Sequence, residues 1–68
     1  MYSNEPNLVP VNGYNIFETV KAVKAFLKFK DKRVQVWVPK KFCEDWPDVG
    51  EYGEFLIEDW WLGKNDFI

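Results

Sequence analysis

The sequence predicts a mainly β protein, with a small α+β arrangement as the variant: a compact antiparallel sheet built on a central hairpin, with a short C-terminal helical turn. Three observations point there. The segments on either side of Asp31-Lys32 both alternate apolar and polar with a period of two. A proline, Pro39, closes the second of them. A short apolar run near the C-terminus is followed by residues that suit the start and stop of one helical turn.

Taken in chain order, residues 1–13 read as a loose lead-in and residues 14–68 as one small β-rich domain. Met1 to Pro10 is polar and carries Pro6 and Pro10. Asn12-Gly13 is a turn dipeptide that suits a tight hairpin between Val11 and Tyr14, with Pro10 on an edge strand. Asn15 and Glu18 have capping-box spacing, and Ile16, Val20, Val23 and Leu27 share one helical face. The rival is a strand to Lys30, which takes the chain from about Ala22 and leaves Asn15 to Lys21 open between the two. Val23, Ala25, Leu27 and Phe29 then share one face, with Lys24, Phe26, Lys28 and Lys30 on the other.

A turn at Asp31-Lys32 leads into Arg33 to Val38, where Val34, Val36 and Val38 alternate with Arg33, Gln35 and Trp37. The expected register sets Phe29 opposite Val34, Leu27 opposite Val36 and Ala25 opposite Val38, and pairs Phe26 with Trp37 on the other face. Phe42 to Gly53 reads as an acidic, turn-rich loop, and Glu54 to Glu58 as a third strand. Asp59 is the expected N-cap and Gly63 the expected stop around Trp60-Trp61-Leu62.

The chain has 68 residues, so its core is small. Six Phe, four Trp and three Tyr supply large side chains for burial. With one cysteine and no histidine, an intramolecular disulfide and the usual His/Cys zinc sites are excluded; self-association is the remaining source of added stability. No apolar run approaches a membrane span, and the first residues lack the basic start and apolar core of a signal peptide. The expected setting is cytoplasmic, with no membrane partner.

The net charge of −2 conceals a polarised layout. Lys21 to Lys41 holds eight bases and one acid, whereas Phe42 to Ile68 holds eight acids and one base. The expectation is that these halves neutralise each other within the fold.

Three short motifs carry a family resemblance. Glu18-Thr19-x-Lys21-Ala22, Val36-Trp37-Val38-Pro39-Lys40 and Ile57-Glu58-Asp59-Trp60 resemble a group of small, uncharacterised phage and prophage proteins. The group's pattern is an ETxKA-like strand, a strand ending Trp-(Ile/Val)-Pro-(Lys/Arg)-Ser, a variable acidic loop and a final (Ile/Val)-x-(Glu/Asp)-Trp. The similarity spans roughly Glu18 to Ile68. It departs at Lys41, where the group usually has serine, and at Glu58, where proline is common. The resemblance implies a phage-type accessory protein acting in the host cell cytoplasm, and implies no activity.

Nothing in the chain assembles an enzyme. Cys43 has Lys40 and Lys41 on one side and Glu44 and Asp45 on the other, with no histidine to serve as base. Adjacent acids on a strand, such as Glu44-Asp45, point to opposite faces. No calcium loop or glycine-rich phosphate cradle is present, so no cofactor or metal is expected.

The first reading is therefore a non-enzymatic protein-binding module, an inhibitor or modulator of a host or phage protein. Its candidate anchors are Trp46, Trp60, Trp61, Glu51 and Tyr52. The alternative is single-stranded nucleic-acid binding by the face of Lys24, Phe26, Lys28, Lys30, Arg33 and Trp37, which interleaves bases with aromatics. A competing structural role for Phe26 and Trp37 is a second core layer under the C-terminal segment, which predicts a largely buried Trp37.

Overall fold

A computed structural model describes residues 7–67 of the chain. It is mainly β. Five strands, β1 (Leu8–Glu18), β2 (Ala22–Phe29), β3 (Lys32–Pro39), β4 (Cys43–Asp45) and β5 (Tyr52–Glu58), form one antiparallel sheet in the order β3-β2-β1-β5-β4. A 3-10 turn, Lys40–Phe42, links β3 to β4, and one helix, α1 (Asp59–Lys64), follows β5.

The alternation on β2 and β3 produces the expected hairpin, with its two faces composed as expected. Its place and register differ. The turn is Lys30-Asp31, with Lys30 in the left-handed region at φ 54°, so the hairpin closes on the pair Phe29–Lys32. Leu27 faces Val34, Ala25 faces Val36 and Val23 faces Val38, a slip of two residues from the expected pairing. A slip of two preserves which side each residue points to. It does break the expected Phe26–Trp37 pair: Phe26 faces Gln35, and Trp37 faces Lys24. The hairpin is also lateral rather than central, with β3 at one edge.

The middle of the sheet belongs to β1, so residues 8–13 are not a lead-in; the remainder of that expected lead-in, residues 1–6, lies outside the described residues. Asn12-Gly13 makes no turn. Both residues pair with β2 on one side and β5 on the other. A Cβ on Gly13 would lie 2.7 Å from the Phe26 carbonyl oxygen and 2.8 Å from Leu27 Cδ2. The glycine serves close strand packing, a use that competes with turn formation for the same residue type. Pro10 pairs with Leu56 of β5 and has no β2 partner, because β2 pairing begins at Asn12. Its missing N–H therefore costs no ladder bond on that side.

Asn15 and Glu18 form no helix cap. Ile16 is the extra residue of a β-bulge, since Asn15 pairs with Ala25 and Phe17 with Lys24. The three-residue spacing still brings the two side chains together: Asn15 Nδ2 donates to Glu18 Oε2 at 2.9 Å. Thr19 then closes the β1–β2 connection, its Oγ1 accepting from the Ala22 N–H at 3.0 Å.

One face of the sheet is the core. Val11, Val23, Ala25, Leu27, Val38, Phe55 and Ile57 are fully or almost fully buried, and α1 covers them with Trp61 and Leu62. Phe67 adds to that cover, stacked on Trp61 with centroids 6.0 Å apart. Each buried Val, Leu, Ile or Phe side chain there contributes about 1.5–3 kcal/mol.

The short strand β4 occupies part of the stretch expected to be loop, pairing Cys43 with Ile57. The helix also begins and ends differently. Glu58 is the N-cap, without a side-chain cap bond, and the Asp59 N–H instead donates to the Asn7 carbonyl at 2.9 Å. Gly63 lies inside α1, and Asn65 ends it, with Nδ2 donating to the Trp61 carbonyl at 2.8 Å.

Candidate nucleic-acid interface

Strand parity fixes what the other face presents. From β3 come Arg33, Gln35 and Trp37; from β2, Lys24, Phe26 and Lys28; from β1, Asn12 and Tyr14. The Ile16 bulge returns Phe17 to the same side, opposite Lys24. From β5 come Tyr52 and Glu54. Gln35, Phe26, Tyr14 and Tyr52 therefore lie in one row across four strands, with Trp37, Lys24 and Phe17 in the next row.

This face is open. Trp37 is 48% exposed and Phe26 41%, so neither forms a second core layer. Tyr14 (39%) and Tyr52 (60%) are exposed as well. The reason is geometric: among the described residues there is one helix, and it packs on the valine face because Phe55 and Ile57 of the preceding strand point there. Trp37 lies beside Lys24, whose Nζ is 5.9 Å from the ring centroid, a cation–π arrangement common at exposed sites.

The sheet also distributes the charged segments over different strands. The base-rich segment forms β2 and β3 at one edge, and the acid-rich segment forms β4 and β5 at the other, with β1 between them. The two ends of that order are nevertheless joined by the three-residue 3-10 turn Lys40–Phe42, so the sheet curls and brings Lys41 beside Glu44 and Glu58. The expected mutual neutralisation is partial: Lys41 stands beside acids of the acid-rich segment, whereas among the described residues Lys24, Lys28 and Arg33 of the open face make no ion pair. The ion pair Lys40–Glu18, at 2.9 Å, takes its acid from β1 and not from the acid-rich segment. Lys32 does reach the C-terminal segment, but through the backbone carbonyl of Asp66, at 2.9 Å.

Of the residues predicted for nucleic acid, Lys24, Phe26, Lys28, Arg33 and Trp37 share this face, and Lys30 stands at the hairpin turn beside it. Sequence reasoning missed Tyr14 and Phe17. The alternation Val11, Gly13, Asn15 against Asn12 and Tyr14 was available as a signal, and was overridden by the turn reading of Asn12-Gly13.

The candidate protein-binding anchors do not converge. Trp61 is in the core, which removes it as an anchor. Trp46 is a half-buried strut: its Nε1 donates to Glu18 Oε2 at 3.2 Å, and Lys40 lies over its ring. Asn15 Nδ2 donates to the Pro47 carbonyl at 2.8 Å and fixes the same loop. Glu51 and Tyr52 are exposed at the start of β5. Trp60 is exposed among acids, edge-on to Phe42 at 4.6 Å, with its Nε1 donating to Glu58.

Two titratable groups are shifted from their ordinary values. The hydrogen bond from Lys40, followed by that from Asn15, holds the Glu18 carboxyl below its ordinary value of 4.5. Burial pushes the Cys43 thiol up to about 12, the behaviour of an inert structural thiol. Among the described residues, no three His, Cys, Asp or Glu side chains gather as a metal site, and no helix is long and apolar enough to cross a membrane. Compared with family models, with curated proteins and with solved structures, the chain matches none.

Proposed function

We propose that the protein is a non-enzymatic accessory module that binds single-stranded nucleic acid on its open sheet face. One observation carries this reading: Trp37, Phe26, Tyr14 and Phe17 share an uncovered surface with Lys24, Lys28 and Arg33. Aromatic rings offer stacking surfaces to unpaired bases, and the adjoining bases neutralise phosphates. The net negative charge is distributed unevenly: Lys24, Lys28 and Arg33 lie on β2 and β3, and the nearest acid of the row, Glu54, is set off from Lys28 by β1.

The bases track β2 and β3, so the phosphates follow that edge while the nucleobases lie inward over Phe26 and Tyr14. Tyr52, with Glu51 and Glu54 beside it in sequence, marks the acidic limit of the footprint. Titration with an oligothymidine at low salt tests the proposal. Tryptophan fluorescence should be quenched with micromolar or tighter affinity, and a duplex of equal length should bind less well. Absence of any salt-sensitive binding would overturn it.

A second reading, a protein-binding modulator, is supported by exposed Trp60 at the acidic edge. Its test is Trp60→Ala, which should abolish capture of a protein partner that persists after nuclease treatment.

A further inference from the structure

We propose, on the basis of the single-strand reading above, that a cleft at one end of the open face is a subsite for a terminal phosphate of the bound strand. The preferred ligand is then a single strand with a phosphomonoester at one end.

The open face does not stop at Trp37 and Lys24. Two residues further along the hairpin, about 7 Å at the rise of a strand, Ala22 pairs with Pro39. Strand parity turns both to the side of Trp37 and Lys24. There they line a cleft of about 600 Å³ together with Val20, Lys21, Lys40 and Lys41, a volume within the range of small-ligand sites. Backbone bonds hold its walls: the Lys40 N–H donates to the Lys21 carbonyl at 2.8 Å, and the Thr19 N–H to the Ala22 carbonyl at 2.8 Å. Val20 beside it is 91% exposed, so the cleft has an apolar wall without cover.

Charge and position specify the occupant. Lys24, Lys28 and Arg33 are spread along β2 and β3, which suits successive phosphodiesters of single negative charge. At the cleft three lysines line one space. Lys40 is committed to Glu18 at 2.9 Å, whereas Lys21 and Lys41 make no ion pair among the described residues. Lys41 also stands beside Glu44 and Glu58 on its other side, so Lys21 carries the larger share. A terminal phosphomonoester carries a charge of about −1.5 to −2 at neutral pH, which calls for more than one ammonium group. β2 begins at Ala22 and β3 ends at Pro39, so the track of bases and aromatics ends here and meets the end of a strand.

The test is a tryptophan-fluorescence titration of the full chain with three unlabelled oligothymidines of equal length, bearing a 5′-phosphate, a 3′-phosphate or hydroxyls at both ends. At low salt a phosphorylated form should bind about ten-fold more tightly than the hydroxyl form, the scale of one hydrogen bond to a charged group. The end that gains fixes the direction in which the strand lies. The gain should shrink as pH falls through about 6, where the phosphomonoester loses its second charge; the chain has no histidine to titrate there. Lys21→Ala should abolish the gain and Lys41→Ala should reduce it, whereas Lys64→Ala, on α1, should keep it. Equal binding of all three forms, a gain that ignores pH, or a gain that survives both Lys21→Ala and Lys41→Ala would overturn the subsite and leave the single-strand reading standing. Failure of every form to bind would overturn both.

Discussion

Replacing Trp37 with alanine separates a binding residue from a core residue. A Trp side chain offers about 250 Å² for burial. Trp37 is 48% exposed, so about half of that area is covered in the fold. At about 25 cal/mol per Å², the covered area is worth at most about 3 kcal/mol. The expected loss is smaller, about 1–2 kcal/mol, because the unfolded chain also covers part of this surface and alanine keeps its Cβ contacts. The site opens to solvent, so truncation leaves no sealed cavity and adds no cavity penalty. A buried aromatic such as Phe55, at 0% exposure, should cost about 3–5 kcal/mol on the same truncation.

For oligonucleotide the loss is at least as large: removal of one stacking ring costs about 1–3 kcal/mol of affinity, roughly five- to 150-fold. Urea unfolding and fluorescence anisotropy with a labelled oligothymidine measure the two quantities on one sample. With Lys24, Lys28 and Arg33 as the phosphate contacts, the parent's log–log salt slope should be about −2. Arg33→Ala should make it shallower by about 0.7. A Trp37→Ala protein that loses about 3 kcal/mol or more of stability while binding unchanged would refute the assignment of Trp37 to the open face.

Three further outcomes follow from the packing and the shifted groups. Gly13→Ala should destabilise by about 1–3 kcal/mol in denaturant melts, because its Cβ meets a backbone oxygen at 2.7 Å; an unchanged midpoint would show that β1 and β2 can separate without cost. Cys43 is buried, with its thiol raised from 9.0 to about 12, so alkylating reagents should spare it in the native protein at neutral pH and react fully in urea, leaving native binding intact. The sign of the linkage is that stability from the neutral thiol is complete below pH 9.0 and is lost as pH rises towards 12; a Cys43→Ala variant should show a smaller decline in that window. Glu18, lowered from 4.5 by Lys40 and Asn15, contributes stability above that value and loses it as pH falls through the lower folded value. The melting temperatures of the parent and Glu18→Gln should therefore converge on acidification, and a gap that persists at the lowest pH would count against the Lys40–Glu18 pair.

By itself the sequence determined the local elements whose signals lie within a few residues. The alternations of Val23 to Phe29 and Val34 to Val38 specified a hairpin with a valine face and a basic-aromatic face. Because the period is two, that composition survived an error of two in register. The strand at Glu54 to Glu58 and the turn of helix after it were equally local. The lone cysteine and absent histidine excluded an intramolecular disulfide and the usual His/Cys zinc sites before any fold was known.

Tertiary structure decided everything that depends on which strand lies beside which. Asn12-Gly13 has the composition of a turn, but only the approach of Leu27 and Phe55 explains a glycine there in the central strand. Asn15 and Glu18 meet with the spacing of a helix cap and serve a bulge instead. Above all, no local signal states which sheet face α1 will cover. That follows from Phe55 and Ile57 pointing to the valine side at the end of β5, and it alone leaves Trp37 and Phe26 in solvent. The strand order then puts β1 between the bases of β2 and β3 and the acids of β5. A charge sum along the chain contains no distances, so it could not distinguish that arrangement from a fully neutralised one.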